Sequence, residues 1–346
     1  MTAEVVSLKK LLVLAMLPGL LWFSACSKDK KKPTAQSSSS AAPTTTAVPV
    51  PTYPLTGLPI PGGPPMRPAL SVKIDNVDGS FPQSGLNHAD IVWEELVEGG
   101  QTRLFATYQS QDVDPVGPIR SARPVDADLL AGLGGGVLAY SGAAPGEIAP
   151  VEEHSGATLL SNDNGVNAFY RDSSHFAPHN VFSSTNALWA AGAEAGAPNT
   201  LPPPQFKYGN STGRPVITTK YVMGERMHGE WHWNASGSVY ERDQLETQDV
   251  LADGSRVTTN NVLIMSVRID GTGVFDIVGE EDPLPVVIGE NPCWLLRDGQ
   301  LIEGRWSRPT VDKPAVFKDM KGNDLLFHPG RTWVELLPDS QQPVFE

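Results

Sequence analysis

Cysteine is almost missing from this sequence. Cys26 and Cys293 are the two it has in 346 residues, too few for a disulfide scaffold or a thiolate metal cluster. Positive charge is also short: 26 Lys and Arg stand against 39 Asp and Glu, a formal net charge of −13. A nucleic-acid binder needs a basic face, so DNA and RNA are not expected as partners. Of the seven histidines, His175/His179 and His228/His232 are spaced by four. Pro178 interrupts the first pair and Gly229 the second. With no His-Glu-x-x-His, neither a metal nor a cofactor is expected. No apolar run reaches the ~20 residues of a comfortable membrane helix, and no internal repeat is visible. Abundant instead are glycine (33) and proline (31), which argue against a helical bundle, a coiled coil or a helical array. At ~150 residues per domain, the length allows about two.

The first segment reads as an export signal. Lys9 and Lys10 precede an apolar run from Leu11 to Phe23, which ends in Ser24-Ala25-Cys26. A charged start, an apolar core and small residues at a cut site define a secretory leader. Phe23-Ser24-Ala25-Cys26 resembles the bacterial lipobox, with Phe where Leu is usual. In proteins carrying that motif the cysteine receives a diacylglyceryl group and becomes the new N-terminus. An ordinary leader with an incidental cysteine is the alternative; the place of Cys26 directly after the small pair favours lipidation. Several acyl chains on Cys26 would anchor the protein firmly at the extracytoplasmic face of the cell membrane. Residues 26–52 then form a tether, lysine-rich at first and Ser/Thr/Pro-rich afterwards, with too little apolar surface to fold. Such a coil spans about 30 Å on average and about 90 Å when stretched. The first 52 residues hold six lysines and two acids, so the remaining body is more acidic than the whole and is not expected to lie flat on anionic lipid.

The body reads as α+β: a mixed α/β domain over 53–205, then a mostly β domain over 206–346. Ala69–Ile74 alternates as a strand. Asp90–Val97 and Thr102–Gln109 form a hairpin about Glu98-Gly99-Gly100-Gln101. Asp126–Leu133, after a proline and with acids in its first turn, reads as a helix, as does Thr185–Ala195 behind Ser183-Ser184. Thr200–Pro204 marks the boundary. Beyond it, Val262–Ile269 is a strand, Cys293–Leu296 and Gln300–Trp306 flank the turn Asp298-Gly299, and Thr332–Leu337 closes the set. A sandwich or open barrel is expected for this part. Cys293, Trp306 and Trp333 are read as core.

Several segments together resemble one family, the YerB-like or DUF3048 lipoproteins. They include Pro54-Leu55-Thr56-Gly57-Leu58-Pro59, Lys73-Ile74-Asp75-Asn76, Pro82 to Val92, Glu94 to Gly100, Val116-Gly117-Pro118-Ile119-Arg120-Ser121-Ala122-Arg123 and Pro178-His179-Asn180. In the second domain, Ile302 to Trp306 and Pro329 to Glu335 fit the family's C-terminal module. The resemblance covers nearly all of 53–338 and implies an envelope lipoprotein of two modules. It implies little chemistry.

The candidate site is the polar set Arg103, Arg120, Ser121, Arg123, Arg171, His179 and Asn180. Two guanidiniums three residues apart, at 120 and 123, can converge on one anion where the chain turns tightly. The planar fork of arginine suits phosphate or carboxylate, and a helix starting near Pro124 would add its N-terminal dipole. The opposing reading is that these arginines pair internally with Glu94, Glu95, Glu98 or Asp126. Neither Ser84 nor Ser121 sits in a nucleophile motif. Glu94/Glu95 and Glu152/Glu153 are adjacent, and adjacent strand residues point to opposite faces, so they make no acid/base pair. No catalytic constellation is recognisable. The expectation is a binding module of the cell envelope, with a cell-wall synthesis protein or an envelope glycopolymer as partner. The alternative is a binder or processor of an anionic ligand, such as a lipid-linked phosphate or wall fragment, through Arg103, Arg120 and Arg123.

Overall fold

The computed structural model describes residues 50–275 and 279–346. The leader, Cys26 and all but the last three residues of the tether lie outside them. Among the described residues no helix is long and apolar enough to cross a membrane.

The first half opens with β1 (Leu70–Asn76), β2 (Ile91–Leu96) and β3 (Thr102–Tyr108). Helix α1 (Val125–Gly132), β4 (Gly136–Tyr140), α2 (Pro145–His154), β5 (Ala157–Ser161) and α3 (Thr185–Glu194) follow. The hairpin of β2 and β3 forms about the expected turn. Gly99 and Gly100 both stand at φ 67° there, a conformation that glycine adopts without strain. Helix α3 begins where Ser184 Oγ accepts the Ala187 N–H at 3.2 Å. Helix α2 has no counterpart in the sequence reading. Two prolines obscured it, yet Pro145 sits in the first turn, where no N–H is missed, and Glu147 accepts the Ala144 N–H at 2.6 Å.

Most strands of the second half divide between two large sheets rather than closing a sandwich or barrel of their own. Asn261–Phe275, Gly289–Arg297, Gln300–Arg308, Val316–Asp319 and Thr332–Pro338 continue the first-half sheet. The join is Thr332–Pro338, which lies parallel to β2 in the register Ile91↔Thr332 and, on its other side, parallel to Asn261–Phe275. The result is a sheet of twelve strands. The boundary read at 205/206 therefore separates stretches of sequence whose strands share one sheet, and 49–346 packs as one unit. A second sheet of six strands, with Thr218–Gly224, Met227–Asn234 and Val239–Gln244 at its heart, covers part of one face.

Every residue of β1 and of Thr332–Pro338 is buried, because both faces of the central sheet are covered. Leu70, Val72 and Ile74 join one core with Tyr221, Trp231 and Trp333. On the other face lies a core built from α1, Phe105, Leu263 and Trp306. Burial on both faces forces polar side chains of these strands to find partners inside. Toward the second sheet, Arg242 donates to Glu94 at 2.8 Å and to Asp249 at 2.6 Å, and Trp231 Nε1 donates to Glu335 at 2.8 Å. Burial and the nearby Glu94 push Glu335 well above the usual carboxylate range. Toward α1, Lys73 bonds Glu95, and Asp126 at 2.9 Å. Glu94 and Glu95 thus serve opposite faces, as strand alternation requires.

Removing one partner from a buried ion cluster costs more than the cluster contributes. Arg242→Met is therefore expected to destabilise the protein by about 3–5 kcal/mol. Adding Glu94→Gln and Asp249→Asn should recover a large part of that loss. Urea unfolding of the three variants checks this; a loss below about 1 kcal/mol for Arg242→Met would show that the cluster does not hold the two sheets together.

Candidate functional site

Asp75 is the centre of the site, and it lies near the end of β1 because two different partners take up that strand's edge. β1 pairs with β4 only over Leu70–Val72. Beyond that point the loop 118–120 takes the place of β4: the Asp75 N–H donates to Pro118 O and the Arg120 N–H to Lys73 O, both at 2.9 Å. The loop thereby sets Arg120 beside β1, with Nε 3.0 Å from Asp75 Oδ2. On the other edge Asp75 is directly opposite Arg103 of β3. Arg103 Nη1 stands 3.8 Å from Asp75 Oδ1. The segment Pro178-His179-Asn180 closes from above, with His179 Nδ1 at 2.6 Å from Asp75 Oδ2.

Two guanidiniums and an imidazole thus share one fully buried carboxylate. Arg103, Arg120 and His179 line a cleft of about 560 Å³, joined from the second half by Arg226. Arg226 reaches it because the hairpin tip packs onto Gly99-Gly100, where the Arg226 N–H donates to Gly100 O at 3.1 Å. Close approach needs glycine on both sides: a Cβ on Gly224 would meet Gly100 O at 2.7 Å, and one on Gly100 would meet Glu225 N at 2.9 Å.

Arg103 is the least satisfied of these groups. It is 4% exposed; among the described residues its single hydrogen bond is a 3.4 Å contact to Thr102 O, and its Nε has no partner. Burial pulls its pKa below the usual arginine value. Asp75 Oδ1 and Arg120 Nε also lack hydrogen-bond partners among the described residues. A guanidinium has five N–H donors, and donors left empty beside a cleft mark a place where a ligand's acceptors would be stabilised.

The other sequence candidates separate from this group. Arg123 is locked: it donates to Glu98 at 3.1 Å through Nε, to Glu147 at 3.4 Å through Nη1, and lies 3.3 Å from Asp282. Its burial opposes the charged form, but the bond and charge of Glu98 outweigh it and hold the arginine protonated. For Arg123 the internal pairing holds and the anion-gripping role is withdrawn. The N-terminus of α1 is likewise filled, by Asp126 accepting the Arg123 N–H at 2.8 Å. Arg171 and Asn180 bond each other at 2.6 Å on the exposed surface. Ser121 Oγ faces Gly142, where a Cβ would stand 2.9 Å away. None of these four lines the cleft. Asp75 and Arg226 do belong to the site, though neither is among the sequence candidates. The signal for Asp75 was an acid at a core-facing position of a strand; for Arg226 there was none.

Family comparisons add a name at this point. The family model described as "Protein of unknown function (DUF3048) N-terminal domain" matches residues 55–198, and its C-terminal counterpart matches 217–334. The chain belongs to the DUF3048 family. It is 28% identical over 297 residues to "Putative lipoprotein YerB" of Bacillus subtilis (strain 168), covering 83% of this chain and 86% of that protein. The crystal structure of YerB from Bacillus subtilis superposes with a TM-score of 0.73 at 25% identity, over 85% of this chain and 99% of that one. The two DUF3048 segments meet across 199–216, where the proline-rich stretch lies, and the cleft takes residues from both.

Next to the cleft, Asp282 is buried beside Arg123, and among the described residues neither of its carboxylate oxygens has a hydrogen-bond partner. Burial raises its pKa to about 7, against the pull of Arg123. The folded protein therefore holds a proton there that the unfolded chain releases near pH 4. Between those values the group's contribution to stability falls as pH rises. Asp282→Asn removes that dependence. Its melting temperature relative to the parent is expected to be higher at pH 8 than at pH 5, by the equivalent of about 1–2 kcal/mol. Thermal melts at the two pH values check it, and a difference that does not grow with pH would show that Asp282 is ionised throughout.

Proposed function

We propose that this DUF3048 protein is a membrane-anchored lipoprotein, facing outward from the cell membrane, that binds an anionic component of the cell envelope in the cleft around Asp75. The ligand's phosphate or carboxylate oxygens accept from Arg103 and Arg120. Arg226 meets it at the rim. The observation that carries this reading is the buried, nearly bond-free guanidinium of Arg103 at the edge of an open cleft. Such a group is costly to leave unpaired, and a bound anion satisfies it.

Charge placement supports the same reading. Glu98, on the cleft wall, is held by Arg123, which lowers its pKa despite burial. Asp75 is one negative charge shared by two guanidiniums, an excess of positive charge around that carboxylate, while Asp78 and Glu280 also line the cleft. A lipid-linked phosphate and a charged wall fragment both present the required oxygens. The tether gives the cleft access to either, since a coil of this length reaches about 90 Å at most from the membrane.

Two experiments test the two parts. Growth with an alkyne fatty acid should label the full chain, and Cys26→Ser should abolish the label and release the protein from the membrane fraction. An unlabelled, soluble parent chain would remove the anchor. For the cleft, titration of the detergent-solubilised chain with inorganic pyrophosphate and with a short-chain prenyl phosphate should show binding. Arg120→Ala should weaken it by about 10–100-fold, the equivalent of a lost charged hydrogen bond, while Arg171→Ala leaves it unchanged. Arg120 is the residue to vary because its side chain is 22% exposed, so its loss spares the core. Binding that ignores Arg120, or none at millimolar ligand, would defeat the reading.

A further inference from the structure

We propose that Asp75 and His179 form a proton-transfer dyad, and that the cleft hydrolyses a phosphoester. This rests on the anion-binding reading above and adds chemistry to it. An ionised carboxylate only accepts hydrogen bonds, so the 2.6 Å contact to Asp75 Oδ2 places the imidazole proton on Nδ1. Nε2 is then the basic nitrogen, and it has no hydrogen-bond partner among the described residues. Asp75 fixes the ring's orientation from a fully buried position, while the ring itself borders the cleft. Gly79, at φ 91°, leaves room for the imidazole: a Cβ there would stand 3.3 Å from Cδ2 and 3.6 Å from Nε2.

The same carboxylate also positions the anion donors. Arg120 Nε lies 3.0 Å from the oxygen that His179 uses, and Arg103 approaches the other oxygen. A base oriented by a carboxylate, beside guanidiniums able to hold developing negative charge, is the arrangement that hydrolysis of a phosphoester needs. Among the described residues no serine, threonine or cysteine lines the cleft. Ser121 faces Gly142, and Ser80 Oγ donates to Val77 O at 2.7 Å. The attacking group is therefore water. Its oxygen forms a bond to phosphorus as its proton passes to His179 Nε2. The bond from phosphorus to the ester oxygen breaks, and the imidazolium returns the proton to that leaving oxygen. Ester and water give alcohol and a phosphate carrying one ester fewer, with His179 regenerated. Arg103 and Arg120 hold the non-bridging oxygens throughout.

The full chain in detergent is assayed with p-nitrophenyl phosphate, a monoester, and bis(p-nitrophenyl) phosphate, a diester. Inorganic phosphate binding is measured alongside. Turnover of one of them by the parent chain is expected. His179→Asn and His179→Gln should lower kcat by about 100-fold or more while the Kd for phosphate changes by less than about threefold. Asp75 is left intact, so the guanidiniums keep their anchor. Phosphate binding without turnover of either ester would overturn the dyad and leave the binding reading standing. Loss of phosphate binding in the parent would overturn both. Turnover that persists in both His179 variants would assign the activity elsewhere and overturn the proposal. Thermal melts show whether each variant is folded, and the parent's own turnover decides the matter where neither variant folds.

Discussion

The parallel pairing of β2 with Thr332–Pro338 is the constraint from which the rest follows. It takes a strand from the end of the chain and places it between one from the beginning and Asn261–Phe275. The halves of the chain therefore cannot separate without breaking a central ladder, and the loops at their strand ends share one rim. That is why Arg226, from the second half, lines a cleft with Arg103 and Arg120 from the first. A parallel pair also demands cover on both faces, which α1 and α2 supply on one side and α3 with the six-stranded sheet on the other. With both faces covered, any polar residue in the central strands becomes an internal one.

That burial explains the unusual density of charge inside. Lys73, Asp75, Glu94, Glu95, Asp126, Arg242 and Glu335 are all fully buried. Lys73, Glu95 and Asp126 pair with one another inside the protein, as do Glu94, Arg242 and Asp249. Asp75 differs. Its partners come from three separate pieces of chain, and all three border solvent in the cleft. A sealed ion cluster fixes the packing of sheets; one whose cations open to water has donors to spare. The distinction is made by position along the strand. Lys73 is covered by α1, whereas Asp75, two residues on, has reached the strand's open end.

Much of the fold was legible in the sequence because its strongest signals are local. The hairpin of β2 and β3, the helix after Pro124, the serine cap of α3 and the turn at Asp298-Gly299 each depend on a few neighbouring residues. The mixed first half and the strand-rich second half follow from the same periodicities. The sharing of one sheet by both halves was not legible, because strand pairing across some 240 residues leaves no local mark. Helix α2 was hidden by two prolines, Pro145 in its first turn and Pro150 in its interior. In the site, Arg103, Arg120 and His179 were recognisable by residue type and motif. Arg123 was grouped with them by spacing alone, and spacing does not reveal which acids the fold brings to it.

Arg120 and Arg123 show how little separates a ligand donor from a structural cation. They are three residues apart in one loop. The turn that sends Arg120 toward β1 gives it half of a carboxylate already shared with His179. The same turn sends Arg123 under the hairpin, where Glu98, Glu147 and Asp282 converge on it. Three acids surround one buried guanidinium, and Asp282 takes up a proton readily because it is buried, with Glu98 and Glu147 adding to the effect. Around Asp75 the imbalance has the opposite sign, with two guanidiniums to one carboxylate. Excess negative charge can be relieved inside the protein by a proton, because carboxylates titrate within reach of neutral pH. Excess positive charge on arginine cannot be relieved that way. Its remedy has to come from outside, as an anion, and the cleft is where one can enter.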